Sequence, residues 1–355
     1  MTHTEDSLRA KVRADLPPHI FTPKPLWSLV VIPIVGLIVG GSVLLATVPM
    51  PWPLALLASL LIGHGYASLT FVGHDITHGA SIGPGRLRTL ITYLTFAVYG
   101  VSPHLWLAWH HQAHHGHTNV KGRDPDNFGT LDDFRNGTPF NRFMLRWAPG
   151  SSGHGVSAVY LVLFFTLQGQ GILWGKSRRM PDFRRMNRRR AVVDTLTLAA
   201  FWLGIALLTG PWGALFIVLI PMMVSNFIVM SYIVTTHMLC PMVGSRDPLR
   251  TSMGVTTNRL FDVVHFHFSH HLEHHLFPAM CSWYYPRVRR SLRRHLGDAY
   301  LAPPHGQALR AIFGTPRLYA EFGTLVDPFT GRRVAVDDVQ AALAGAGARA
   351  QRIEA

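Results

Sequence analysis

The chain has 355 residues, of which 48% are hydrophobic and only 15% charged; with a mean hydropathy of +0.20 this excludes an ordinary soluble domain and points to a lipid solvent. The 33 Lys and Arg outnumber the 19 Asp and Glu, giving a formal net charge of +14, a balance that suits nucleic acid, an anionic membrane surface or acidic substrates. Two cysteines, Cys240 and Cys281, are too few for a disulfide framework and lack any CxxC spacing, which sets thiolate metal chemistry aside.

The first 24 residues are polar and carry both signs of charge, so no removable signal peptide is expected. Residues 26–48 then run without a charge; at about 1.5 Å per residue they reach about 34 Å, enough for a hydrocarbon core of about 30 Å. Pro49, Pro51 and Pro53 break this helix, and the uncharged run 53–72 completes a transmembrane hairpin. Stretch 90–101 is too short to span, and 156–175 is interrupted by Gln168 and Gln170; both are expected to be interfacial or re-entrant. Runs 191–209 and 212–236, separated by Gly210 and Pro211, form a second hairpin.

Charge placement gives an orientation. The segment 176–190 holds eight Lys and Arg against one Asp, and such clusters stay in the cytoplasm. Arg9, Lys11, Arg13 and Lys24 before the first span agree with this, as do Arg287, Arg289, Arg290, Arg293 and Arg294 after the fourth. The net positive charge is therefore largely juxtamembrane, where its expected partners are anionic lipid headgroups; nucleic acid is not expected. The Ala-rich end from about Asp337 is expected to be frayed.

The unusual residue is histidine, with 21 copies gathered in clusters. Behind the second span stands His74-Asp75-Ile76-Thr77-His78, whose i,i+4 spacing puts both imidazoles on one helix face. Between the hairpins, His111, His114 and His115 form an HxxHH pattern. After the fourth span, His271, His274 and His275 repeat it. Imidazole suits Fe, Zn, Cu or Ni, and eight such groups exceed the four ligands of one closed zinc site, so two ions fit the number better.

The strings HDITH, HHQAHHGHTN and HHLEHHLFP resemble the three histidine boxes of the membrane fatty acid desaturase superfamily, in order and in flanking residues such as Thr118-Asn119 and Leu276-Phe277-Pro278. The resemblance covers about residues 26–300. It implies an all-α integral membrane fold with four transmembrane helices in two hairpins, interfacial helices and a cytoplasmic histidine-rich cap. The chain then divides into a cytoplasmic N-terminal segment (1–25), the membrane domain (26–300) and a cytoplasmic C-terminal tail (301–355). The implied cofactor is a di-iron centre (two Fe ions), with O2 as co-substrate, held by His74, His78, His111, His114, His115, His271, His274 and His275. Related enzymes add a histidine from the fourth span, here His237. No catalytic residue beyond these ligands is assigned.

Asn226, eleven residues before His237 and about 16 Å away along a helix, departs from the family's one-turn spacing and reads as an interhelical hydrogen bond. His271 stands where front-end desaturases commonly carry Gln, which argues against that subgroup. His64, His104, His110, His117, His265, His267 and His270 are left as orienting, structural or alternative-register residues. Asp75, Asp124, Asp126, Asp262 and Glu273 are candidates to orient ligating imidazoles. Trp106 and Trp109 suit an acyl channel or an interfacial belt.

The resemblance implies desaturation of an acyl chain, with hydroxylation or ketolation of a lipid or carotenoid as the alternative. It also implies an external electron donor of ferredoxin, rubredoxin or cytochrome type. The expected location is a multi-pass membrane protein with both termini and the metal site cytoplasmic, in the inner or plasma membrane if bacterial. A histidine-rich membrane metal carrier is the rival from another class. It needs ionisable residues along the spans, whereas the first two contain only His64 and the fourth only the terminal His237.

Overall fold

A computed structural model describes residues 4–151 and 157–354; residues 1–3 and 355 of the expected terminal segments, and residue 156 of the expected 156–175 stretch, lie outside them. Its principal helices are α1 (Glu5–Asp15), α2 (Val31–Thr47), α3 (Trp52–Thr77), α4 (Arg86–Phe96), α5 (Ser157–Trp174), α6 (Arg188–Gly213), α7 (Ile220–His237), α8 (His271–Leu276), α9 (Tyr285–Leu296) and α10 (Val336–Glu354). A π-helical stretch covers Leu107–His114. The chain forms two units, a span unit (Pro23–His111 and Val162–Met230) and a second unit (Met1–Thr22, Gln112–Leu161 and Ser231–Ala355).

Among the described residues, four helices are long and apolar enough to cross a membrane: Pro25–Thr47, Trp52–Thr77, Ser157–Arg178 and the 50-residue run Arg188–His237. In α2 only Val31, Ile38 and Leu45 are buried. These recur every seven residues, a single narrow seam, while Ile32, Val39 and Val43 are more than half exposed. An apolar helix that buries so little against protein is solvated by lipid. The fold is accordingly that of an all-α membrane protein.

The run Arg188–His237 would extend about 75 Å as one straight helix, more than twice a hydrocarbon core. It is broken at Gly210, whose φ of 68° and ψ of −170° are non-helical, with Pro211 following. Only glycine adopts that conformation readily, so the run divides where the second hairpin was expected to turn. The stretch expected to be interfacial or re-entrant is a continuous helix over its described residues, α5, and is long and apolar enough to cross a membrane by length and composition. Its Gln170 does not break it, because the side-chain amide donates to Gly100 O at 3.2 Å and accepts from Trp174 Nε1 at 3.0 Å. The other stretch expected at the interface lies in a bent pair, Arg86–Tyr99 and Pro103–His117, at 96° to each other.

In the span unit α3 packs so closely on α4 that a Cβ at Gly73 would lie 1.9 Å from Thr95 Oγ1. The second unit is built round Leu8 and Val12 of α1, Leu272 and Leu276 of α8, and Val288 and Leu292 of α9. Asp15, at the end of α1, accepts from Ser291 Oγ at 2.5 Å and Arg294 at 2.9 Å. The same unit holds a small antiparallel sheet that the sequence pattern did not announce: β1 (Leu318–Glu321), β2 (Thr324–Val326) and β3 (Arg333–Ala335). Beyond it the expected frayed end is helical. Asp337 and Asp338 favour the start of α10, and Gln340 Nε2 donates to Leu239 O at 2.9 Å.

Candidate metal centre

In the span unit α3 is buried from Gly65 through Thr77, which carries His74 of the first histidine box out of contact with water. His74 and His78 stand one turn apart with ring centroids 4.8 Å from each other. His110 brings its Nε2 to 2.8 Å from His74 Nε2, and its ring stacks on Trp106 at 4.3 Å. His74, His78 and His110 each offer a ring nitrogen within 4.8 Å of the others.

His111, chosen from the HxxHH spacing, stacks on His78 at 3.9 Å, and its Nε2 lies 3.2 Å from Thr77 Oγ1. The stretch Leu107–His114 is π-helical, and a π-helical turn takes in an extra residue, so His110 and His111 both reach the first box. His110, set aside in the sequence reading, is the one that brings a ring nitrogen to His74.

The second unit gathers the remaining boxed histidines. His237 Nε2 lies 2.7 Å from His271 Nε2 and 3.2 Å from His275 Nε2, and His114, His237 and His275 each offer a nitrogen within 4.8 Å of the others. On its far side His237 Nδ1 is 3.1 Å from Thr251 O. A carbonyl only accepts, so the ring proton sits on Nδ1 and the Nε2 lone pair faces the other imidazoles. His114 Nδ1 faces carboxylate oxygens of Asp124 and Asp126, both at 3.1 Å. His274 Nε2 lies 3.0 Å from His115 Nε2, and its Nδ1 is 3.1 Å from Tyr285 Oη.

Electrostatics act on the rings differently. Burial opposes the charge of His114, but the carboxylates of Asp124 and Asp126 outweigh it and raise the ring above its ordinary value, whereas the surroundings of His275 favour its neutral form. Burial, with His115, His237 and His271 around it, drives His275 well below 6.5, leaving the uncharged form that binds metals. Asp124 is buried, which opposes its charge; the attraction of His114 and the N–H groups of Asn119 and Asp126 outweigh this and hold its carboxyl below the ordinary value. Imidazole nitrogens at these separations, with protons held on far ring atoms by carbonyl and carboxylate groups, fit a first-row transition ion such as iron.

The other candidates have various fates. Asp75 lies 3.6 Å from His74 Nδ1. Glu273 holds no imidazole; it accepts from Arg289 Nε at 3.1 Å and Tyr300 Oη at 2.5 Å, and so anchors α8 rather than a ligand. Asn226 bonds Thr166, receiving from its N–H at 3.0 Å and donating to its Oγ1 at 3.1 Å, an interhelical contact as its spacing suggested. Trp106 and Trp109 are buried, packed on Phe96 and Phe165 respectively. Tyr285 and Thr251, which orient His274 and His237, carried no signal in the sequence, since a partner for a ring N–H can come from any residue that tertiary packing brings near.

Span-length helices with buried sets of converging imidazoles define a helical membrane protein able to hold metal. Comparison with known proteins agrees with that class. The model of the fatty acid desaturase family matches residues 50–306. The chain is 26% identical over 276 residues to the dihydrorhizobitoxine desaturase of Bradyrhizobium elkanii, covering 74% of each chain. It is 23% identical over 341 residues to the chloroplastic omega-6 fatty acid desaturase of Spinacia oleracea, covering 91% of this chain and 72% of that one. It is 21% identical over 276 residues to the sn-1 linoleoyl-lipid 6-desaturase of Synechocystis sp., covering 69% and 74%. The chain belongs to the fatty acid desaturase family, and is thus an oxidoreductase of the membrane.

Proposed function

We propose that this protein is an O2-dependent di-iron desaturase that introduces a double bond into the acyl chain of a lipid. The observation that carries the reading is the convergence of His237, His271 and His275 through Nε2, with the His237 proton held away on Thr251 O. His114 joins this set. His74, His78 and His110 form another, and His115 with His274 a further pair of facing nitrogens. That many imidazoles exceeds what one ion takes, which supports two.

When bound, iron supplies with O2 and two external electrons the oxidising power to remove hydrogen from a methylene that no acid or base could deprotonate. The protein's share is to hold and orient. Thr251 O, Asp124, Asp126 and Tyr285 fix ring tautomers and planes. Burial of His74, His114, His237, His271, His274 and His275, each under 5% exposed, keeps water and stray reductant from the centre. The electrons come from a separate carrier of ferredoxin, rubredoxin or cytochrome type. The basic segment 176–190 supports a cytoplasmic metal side and cytoplasmic termini, with anionic headgroups as partners.

The relatives' names point to differing substrates, so the acyl chain is best read from the product. Total lipids of cells expressing this chain are compared by mass spectrometry with those of cells expressing His274→Ala. A species two hydrogens lighter, absent from the variant, is the expected result. A species one oxygen heavier would move the reading to a hydroxylase, and identical lipids from iron-loaded protein with a competent donor would defeat it.

A further inference from the structure

Among the described residues, one more set of donors converges apart from the boxed histidines. Asp262, His267 and His270 each offer a ligand atom within 4.8 Å of the others, all inside the second unit. Asp262 lies on a short helix, Arg259–Val264, whose N-terminus is capped by Asn258. The chain then folds back on that helix: His267 N–H donates to Asp262 O at 2.7 Å and His270 N–H to His267 O at 2.9 Å. The reversal passes through Phe266 and His267 at φ of 52° and 56°. Two successive side-chain-bearing residues in the left-handed region are costly, and such strain collects where a side chain must be aimed.

The hydrogen bonds around His270 prepare it as a donor. Ser269 Oγ lies 2.5 Å from Asp262 Oδ1 and 2.9 Å from His270 Nδ1. Its single proton goes to the carboxylate, so it accepts from His270 Nδ1–H, and His270 Nε2 keeps its lone pair. Thr257 Oγ1 donates to the same Asp262 oxygen at 2.8 Å, fixing the carboxylate as a buttressed ligand would be. The edge of Trp283, itself 53% exposed, lies against His267, so solvent is one residue away and an ion has a way in.

We infer that Asp262, His267 and His270 form a further metal site, for a single divalent transition ion of the zinc or ferrous class, separate from the histidine boxes. Two imidazole nitrogens and one carboxylate oxygen suit such an ion and are too nitrogen-rich for calcium or magnesium. The ion clamps the 262–270 reversal immediately ahead of α8, so it acts on the entry to the third box without supplying a ligand there.

The test uses full-length protein in detergent, titrated with zinc against a chromophoric chelator, with metals counted per chain after gel filtration. Wild type is expected to hold one zinc equivalent more than Asp262→Ala or His267→Ala, each weakening that equivalent at least 100-fold, while His274→Ala leaves it in place. Asp262→Glu, which keeps a carboxylate, is expected to recover it, separating ligand loss from misfolding. Equal zinc stoichiometry and affinity in wild type and the alanine variants would overturn the inference, and so would failure of Asp262→Glu to recover the equivalent.

Discussion

At His110 and His111 two adjacent imidazoles meet the first box in different ways. His110 Nε2 is 2.8 Å from His74, whereas His111 spends its Nε2 on Thr77. His110→Ala is therefore expected to lower the iron content per chain and abolish product formation. His111→Gln, which can still reach Thr77, is expected to keep most of both. Elemental analysis beside product analysis distinguishes them, and the reverse pattern would restore the HxxHH register. One-turn repeats hold wherever an α-helix is regular, so spacing could gather the box histidines as candidates. The approach of His110 to His74 was not legible, because nothing in residues 107–114 announces a π turn.

Helix packing sets the next scale. Gly73 precedes His74 on α3, and the space its missing Cβ would need is filled by Thr95 of α4. Gly73→Ala forces those helices apart or bends α3, an overpacking cost of about 1–3 kcal/mol. A lower unfolding midpoint in detergent with reduced iron retention is expected, and Gly73→Ala with Thr95→Gly should recover part of it. In the second unit α8 is held by a buried pair, Glu273 with Arg289 at 3.1 Å, whose guanidinium also donates to Val255 O and Ser269 O. Arg289→Met leaves a buried carboxylate without its counter-charge, a loss of about 3–5 kcal/mol. Glu273→Gln added to it should restore stability in a thermal scan; no restoration would mean that the backbone contacts of Arg289 matter more. The span helices were legible because apolar runs of sufficient length leave few alternatives. The continuity of α5 was not legible, because Gln168 and Gln170 read as interruptions, whereas Gln170 is satisfied by Gly100 and Trp174.

Across the second unit, segments far apart in sequence complete one another, and this was the least legible feature. Composition could show that the first 24 residues are polar and carry both signs of charge, but not that Leu8 and Val12 finish a core made by Leu272, Val288 and Leu292. The short sheet β1–β3 was equally hidden, since three strands of three or four residues leave almost no periodic signal. Asp15 reports on this long-range closure. Hydrogen bonds from Ser291 and Arg294 lower its carboxyl from 3.8 to about 2. A folded value below the unfolded one stabilises docking above about pH 4 and loses that contribution as pH falls toward 2. Protection of α1 from hydrogen exchange should therefore fall over that range in wild type, and be lower and flatter in Asp15→Asn. The contact is solvent-exposed, so added salt should weaken it.

The same closure constrains the order of events during synthesis. Asp15 and Ser291 are 276 residues apart, so α1 leaves the ribosome long before any of the surface that covers its apolar stripe exists. Until residues 272–292 emerge, Leu8 and Val12 have only the bilayer surface, a chaperone or each other for company. A nascent chain arrested after its last span would already sit in the membrane, yet the helix that began it would still be waiting for its place.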